Sequence, residues 1–172
     1  MKYKPFFAGI PSCFLDQPST EETIDDYSQF AGNPLAYVAY TSGTSGNPKG
    51  VMVTRKGLAN FIEGLAKRIH FEGLHRIACF TTVSFDIFFV ESIAALVYGW
   101  EIVLASEEEK DNPRKMAKLL MEEKVEILQL TPSRLQLLYN YDSQLASLKS
   151  VKILMVGGET FPDSLLTCVK QK

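Results

Sequence analysis

The chain has 172 residues, 46% of them hydrophobic, which is enough for a single globular domain with a sizeable core. The formal net charge is −2, and its 18 basic and 20 acidic residues are mixed along the sequence, so no nucleic-acid or anionic-membrane surface is expected. We expect neither a membrane-spanning helix nor a secretory signal, because no apolar stretch has the required length and flanks.

The first segment, residues 1–34, combines prolines with acidic residues and predicts an irregular connection. From residue 35 to residue 172, β-branched or aromatic runs alternate with helical periods, which predicts an α/β core. Strands are predicted near 36–41, 76–82, 101–105, 125–130 and 151–156, and helices near 55–70, 86–98, 113–124, 132–141 and 162–170. Strands separated by such helices require crossover connections, so we predict a mostly parallel sheet flanked by helices.

Several predicted boundaries carry capping residues. The pairs Asn112–Pro113 and Thr131–Pro132 each place a cap before a first-turn proline, and Gly99 stands where a helix should end. The acidic run Glu107–Glu109 is interpreted as a solvated loop.

The cysteines and histidines predict neither a disulfide framework nor a metal site. Cys13, Cys79 and Cys168 are widely spaced, and Cys79 lies in an apolar run typical of a core residue. His70 and His75 lack a carboxylate or cysteine that would complete a zinc ligand set. This cysteine usage predicts a cytoplasmic location.

A donor-rich loop follows the first predicted strand and precedes a helix-like run. Its glycines let backbone N–H groups face an anion, its hydroxyls add donors, and its lysine adds positive charge, which indicates phosphate binding. The Walker and dinucleotide patterns both fail on spacing here, and a solvated turn is the alternative. The predicted phosphate-binding residues are Thr41, Ser42, Gly43, Thr44, Ser45, Gly46 and Lys49.

Two further polar segments follow predicted strands, Ser84–Asp86 after the second strand and Gly157–Glu159 after the fifth. Ligands of parallel sheets bind outside the carboxyl ends of the strands, so these segments and the loop are expected to line one cleft. A helix cap is the alternative interpretation of Asp86.

These segments together resemble a known family. The stretch Ala36–Val51 resembles the phosphate loop of the adenylate-forming superfamily, which includes acyl-CoA synthetases, luciferases and the adenylation domains of non-ribosomal peptide synthetases. The run Phe85–Glu91 is similar to the amino-acid adenylation motif of the peptide synthetases, and Gln129–Ser133 and Gly157–Glu159 resemble later blocks of the same domains. The resemblance implies that the chain is part of the large N-terminal subdomain of such an enzyme.

The resemblance also implies a reaction. An amino acid and ATP, with magnesium, would form aminoacyl-AMP and pyrophosphate, and the acyl group would pass to the pantetheine thiol of a carrier protein. Asp86 would pair with the α-ammonium group of the substrate, because an ammonium removed from water needs a carboxylate partner. Positions that resemble the side-chain pocket are Asp86, Ile87, Val90, Gln129, Met155 and Gly157. Their bulk favours a small amino acid such as glycine.

The resemblance covers only part of an adenylation domain. The segment that stacks on adenine, the ribose-binding aspartate and the catalytic lysine have no match here, so we assign no catalytic residue and expect little or no adenylation from this chain alone. We expect an excised piece of a larger synthetase or a truncated relative, and exposed apolar surface would favour self-association. The alternatives are a non-catalytic adenylation-like interaction module and an acyl- or aryl-acid:CoA ligase of the same superfamily.

Overall fold

The computed structural model describes residues 34–42 and 47–170, so the prediction for the first segment lies outside this range apart from Pro34. The described part begins with two antiparallel strands, β1 at Leu35–Thr41 and β2 at Lys49–Thr54, which pair only with each other. Helix α1, Arg55–Arg68, follows directly, and the Thr54 hydroxyl caps it by accepting from Gly57 N at 3.1 Å.

Four parallel strands form the second sheet, in the spatial order β4-β3-β5-β6. The strands are β3 at Arg76–Cys79, β4 at Glu101–Leu104, β5 at Ile127–Leu130 and β6 at Ile153–Val156. The helices between and after them are α2 at Ala95–Tyr98, α3 at Glu107–Asp111, α4 at Pro113–Glu122, α5 at Pro132–Tyr141 and α6 at Asp163–Lys170. A π-helical turn, Val90–Ala94, leads into α2, and a 3-10 turn, Ala146–Leu148, precedes β6. The predicted α/β class with a parallel sheet flanked by helices is confirmed.

Three details of the prediction were wrong. The first strand is not part of the parallel sheet, because β2 follows the loop and pairs with it as a hairpin. The run Glu107–Glu109 is not a loop but the first turn of α3, where Ser106 and Glu109 form a reciprocal capping box. The helix predicted near 86–98 is irregular: it is helical from residue 88, follows a π-helical path over Val90–Ala94 and continues as an α-helix over Ala95–Tyr98.

Alternate residues of the parallel strands bury opposite faces of the sheet. On one face, Ala78 and Leu128 pack with buried side chains of α4, α5 and α6, such as Leu120 and Leu135. On the other face, Ile77 and Ile127 pack with Ala95 and Trp100. Each face of the sheet therefore has its own apolar layer.

The strand order creates a switch point between β3 and β5. The chain runs from β3 outward to β4, then crosses back to place β5 on the other side of β3, and continues outward to β6. Crossovers on either side of such a point lead away from each other and leave a crevice at the carboxyl ends of the two central strands. A ligand site is therefore expected beyond Cys79 and Leu130.

Among the helices of the described residues, none has the length and apolarity that a bilayer crossing needs.

Candidate functional site

A cleft of about 460 Å³ lies at the switch point, and we call it the strand-end cleft. Three segments line it, one after β3, one spanning the end of β5 and the start of α5, and one in the turn after β6. The lining residues are Thr81, Thr82, Phe85, Asp86, Ile87, Gln129, Leu130, Thr131, Ser133, Arg134, Gly158 and Glu159. Two of the three polar segments expected to converge, those around Asp86 and Gly158, thus meet in one cavity.

A second cavity of about 250 Å³ adjoins Asp86, and we call it the hairpin cavity. Its lining consists of Tyr37, Leu58, Phe61, Asp86, Ile87, Phe89 and Val90. The ring of Tyr37 on β1 stacks on Phe89 with 3.8 Å between the centroids. Burial, and then the negative charge of Asp86, raise the pKa of Tyr37. The hairpin therefore lies beside the segment that carries Asp86.

A buried carboxylate holds the start of that segment. Glu91 is fully buried, and its carboxylate accepts hydrogen bonds from Thr81 N at 2.8 Å and from Thr81 Oγ1 at 2.9 Å. Burial raises the pKa of Glu91, although the Thr81 donors act in the opposite direction. Glu91 lies in the π-helical turn, so this irregular turn and the hydrogen bonds together fix how the chain leaves β3.

The cysteine of β3 is a core residue. Cys79 is buried and unpaired, and burial together with the nearby Glu91 raises the pKa of its thiol to about 12. A thiol with so high a pKa is a poor nucleophile at neutral pH, so the structure assigns it packing and no chemistry.

The turn after β6 is tied to the first turn of α5. The Glu159 carboxylate accepts from Ser133 N at 3.1 Å and from Ser133 Oγ at 2.8 Å. Gly158 has a φ of +88°, and a Cβ at this position would lie 3.6 Å from Ile87 and 3.7 Å from Thr131. Both distances are ordinary van der Waals contacts, so it is the positive φ, which strains any residue with a Cβ, that makes glycine suit this turn.

Arg134 is the cationic member of the strand-end cleft. Its backbone N–H donates to the capping hydroxyl of Thr131 at 3.3 Å, which places Arg134 in the first turn of α5. Its Nη1 donates to the carbonyl oxygen of Phe80 at 3.0 Å, just beyond the end of β3. The Arg134 side chain thus links the start of α5, which follows β5, to the residue after the end of β3.

The predicted substrate residues divide among these features. Asp86, Ile87 and Gln129 line the strand-end cleft, and Val90 lines the hairpin cavity. Met155 pairs with Gln129 across β5 and β6, but it packs with the apolar layer of Ile77 and lines neither cavity. Gly157 also lies outside both cavities, and its N–H donates to Leu130 O at 3.2 Å. Contact of these residues with a substrate stays a prediction.

The predicted phosphate-binding loop is described only at its ends. Gly43, Thr44, Ser45 and Gly46 lie outside the described residues, whereas Thr41 ends β1 and Lys49 begins β2. Thr41 and Lys49 are register partners, so the two ends of the loop are side by side. Thr41, Ser42 and Lys49 are all exposed.

Arg134 was not singled out by the sequence, and Glu159 lay in a segment expected to line the cleft but was not among the predicted site residues. A polar residue three positions after the Thr131 cap and an acidic residue after two glycines are common on solvated surfaces, so neither gives a signal by itself. What could have indicated them is position, because both belong to segments that follow a strand of the parallel sheet.

Comparisons with known proteins identify the family of this chain. The AMP-binding enzyme family model matches residues 11–172. The chain is 35% identical over 164 residues to the dimodular nonribosomal peptide synthase of Bacillus subtilis (strain 168), a match that spans 92% of this chain. It is 36% identical over 161 residues to bacitracin synthase 3 of Bacillus licheniformis, across 88% of this chain. These matches span 7% and 2% of the two synthases, so the chain corresponds to a small part of each.

Solved structures of two peptide synthetases are similar to the described fold. One is a four-domain nonribosomal peptide synthetase, holo-AB3403, bound to AMP and glycine, with a TM-score of 0.69 and 27% identity over 81% of this chain and 10% of that one. The other is FmoA3 in its alpha-methyl-L-serine-AMP bound form, with a TM-score of 0.71 and 25% identity over 80% of this chain and 15% of that one.

Proposed function

Because this chain belongs to the AMP-binding enzyme family, we propose that it is part of an adenylation domain that activates an amino acid with ATP. The amino-acid carboxylate would attack the α-phosphate, and aminoacyl-AMP and pyrophosphate would form. The acyl group would then pass to the pantetheine thiol of a carrier-protein domain. A cytoplasmic location belongs to the proposal, since ATP is the co-substrate and Cys79 is a free thiol.

One observation carries this proposal, namely the position of Asp86 in the strand-end cleft at the switch point of the sheet. Within the described residues, its carboxylate has no hydrogen bond or ion pair, so it is free to receive a cationic group. An ammonium group that leaves water needs such a partner. A fatty or aryl acid offers no ammonium, so Asp86 favours an amino acid over the substrates of acyl-CoA or aryl-CoA ligases.

Similar proteins support the identity of the ligands. One similar synthetase structure has AMP and glycine bound, and another has alpha-methyl-L-serine-AMP bound. We propose a small amino acid such as glycine for this chain, since Ile87 and Val90 occupy part of the space around Asp86. The candidates for contact with the ATP phosphates are the loop residues from Thr41 to Lys49.

Magnesium would accompany ATP and would be bound largely by the phosphates. Within the ranges 34–42 and 47–170, no three His, Cys, Asp or Glu side chains form a metal-ligand set. We therefore assign no magnesium-binding role to these residues. Self-association is a further part of the proposal, since large apolar side chains such as Leu104 and Met52 are about 70% exposed.

The test is calorimetric titration of the full chain with glycine, with glycolate, which lacks the ammonium group, and with AMP. We expect glycine to bind more tightly than glycolate, and Asp86→Asn to weaken glycine binding about 10- to 100-fold because a charged hydrogen bond is lost. Binding of AMP should not change. The matched control is Asp111→Asn, an exposed aspartate at the end of α3 outside both cavities. Equal affinity for glycine and glycolate in the unchanged chain would contradict the proposed function.

A further inference from the structure

The guanidinium of Arg134 has unused donors in the strand-end cleft. A guanidinium carries five N–H donors and keeps its charge at any physiological pH. Of these donors, one binds Phe80 O at 3.0 Å. Within residues 34–42 and 47–170, the guanidinium makes no other hydrogen bond and has no carboxylate within 4.0 Å. A half-buried cation in this state is suited to receive an anion.

The carboxylates of the same cleft differ in what they can still accept. Each Glu159 oxygen accepts a hydrogen bond from Ser133, and these two bonds hold the turn after β6 against α5. Asp86 makes no such bond to the described residues and lies on a different segment from Arg134. One cavity therefore offers a free carboxylate from one wall and a free guanidinium from another.

The position of Arg134 is fixed before any ligand arrives. Its backbone is held in the first turn of α5 by the Thr131 cap, and its side chain is held by the carbonyl oxygen of Phe80. A cation anchored at both ends loses little conformational entropy when it binds an anion. Its planar fork also matches the two oxygens of a carboxylate.

Resting on the proposed function, we propose that Arg134 binds a carboxylate of the amino-acid substrate while Asp86 binds its ammonium group. A free amino acid carries both charges, and the two side chains present the complementary pair in one cavity. For the small substrate proposed above, this is the α-carboxylate that reacts with ATP. The side-chain carboxylate of an acidic amino acid has the same chemistry, and the experiment below distinguishes the two. Arg134 is thus a specificity-determining residue of the cleft.

The experiment compares ligands that differ only in the carboxylate. The full chain is titrated with glycine and glycinamide, and with aspartate and asparagine, at a pH where every amine is charged. We expect the carboxylate form of at least one pair to bind more tightly in the unchanged chain, and Arg134→Gln to remove about 10- to 100-fold of that difference. Loss in the glycine pair identifies the α-carboxylate, and loss confined to the aspartate pair identifies the side-chain carboxylate.

Two further variants separate binding from folding. Arg134→Lys keeps the charge but not the fork, and should retain part of the preference for the carboxylate form. Arg114→Gln removes an exposed arginine of α4 outside the cleft and should change nothing. Far-ultraviolet circular dichroism of each variant checks that the fold is kept.

The binding results distinguish failure of this inference from failure of the proposed function. If glycine or aspartate binding depends on Asp86 but Arg134→Gln leaves the carboxylate preference intact, this inference is wrong and the proposed function stands. If Arg134→Gln weakens only AMP or pyrophosphate, the guanidinium binds phosphate and the inference is again wrong. If no probe binds in a manner that depends on Asp86, the proposed function fails, and the inference fails with it.

Discussion

The parallel sheet and the β1–β2 hairpin are both β-structure, but they are stabilised in different ways. Ile127 and Leu128 of the sheet are fully buried between helices, whereas Tyr40 and Met52 of the hairpin are 70% and 69% exposed. Beyond its backbone ladder, the hairpin contacts the segment around Asp86 through the Tyr37 ring. Burial of apolar area is the main source of stability, so the sheet should hold the fold while the hairpin carries the phosphate-binding candidates at low local stability.

The largest expected effect comes from truncating the sheet core. Leu128→Ala should lower the free energy of unfolding by about 2–5 kcal/mol, because it removes fully buried methyl groups and leaves a cavity. Val51→Ala on the half-exposed hairpin strand is the matched variant and should cost less than about 1 kcal/mol. Urea unfolding followed by circular dichroism measures both, and equal losses would contradict the contrast between the two regions.

A smaller effect is expected at the carboxylate that joins the sheet to the Asp86 segment. The folded pKa of Glu91 is raised by burial above the unfolded value of about 4.3, so the folded chain binds its proton more tightly than the unfolded chain. This contribution to stability is full below about pH 4.3 and is lost as pH rises through the folded pKa. Within that window, the stability of the unchanged chain relative to Glu91→Gln should fall by up to about 1.4 kcal/mol per pH unit.

Urea unfolding at a series of pH values measures this slope. Glu122→Gln, at an exposed glutamate of α4, is the matched surface control. A flat difference between the unchanged chain and Glu91→Gln would show that the buried carboxylate does not govern the pH dependence.

The smallest effect is expected at the stacked ring of the hairpin. Tyr37→Leu should cost about 0.5–1.5 kcal/mol, because it removes the stacking on Phe89 but keeps an apolar side chain. The loss should appear as faster amide exchange in β1 and β2 with little change in β3 or β5. Tyr40→Leu on the same strand is the control, since that ring is largely exposed. Equal exchange in the two variants would mean that the stack does not hold the hairpin.

Local signals in the sequence predicted most of the fold, and non-local pairing explains much of the rest. The caps at Asn112 and Thr131 begin helices as predicted, because a cap acts on its own first turn. Strand β2 was missed because Lys49–Thr54 contains Gly50 and is stabilised by pairing with β1, which no local pattern encodes. Helix α3 was missed although its capping box was readable, because the three glutamates were interpreted as a solvated charge run.

The candidate site was predictable at the level of segments. The resemblance to adenylation domains of peptide synthetases is confirmed by similar proteins, and two of the predicted segments meet in the strand-end cleft. Sequence order alone could not indicate that Arg134 would reach Phe80, because that contact depends on β5 lying beside β3. Met155 shows the opposite case. It is the register partner of Gln129, which lines the cleft, but Met155 packs with the apolar layer of Ile77.

The switch point also bears on how the chain is made. β3 pairs on one side with β4, which follows after a short helical connection, but its other side pairs with β5, where Ile77 meets Ile127 fifty residues later. During synthesis on the ribosome, the backbone groups along one edge of β3 therefore stay unpaired until β5 emerges. Such an open edge pairs readily with other strands, so nascent chains halted before residue 127 should be the most prone to aggregate.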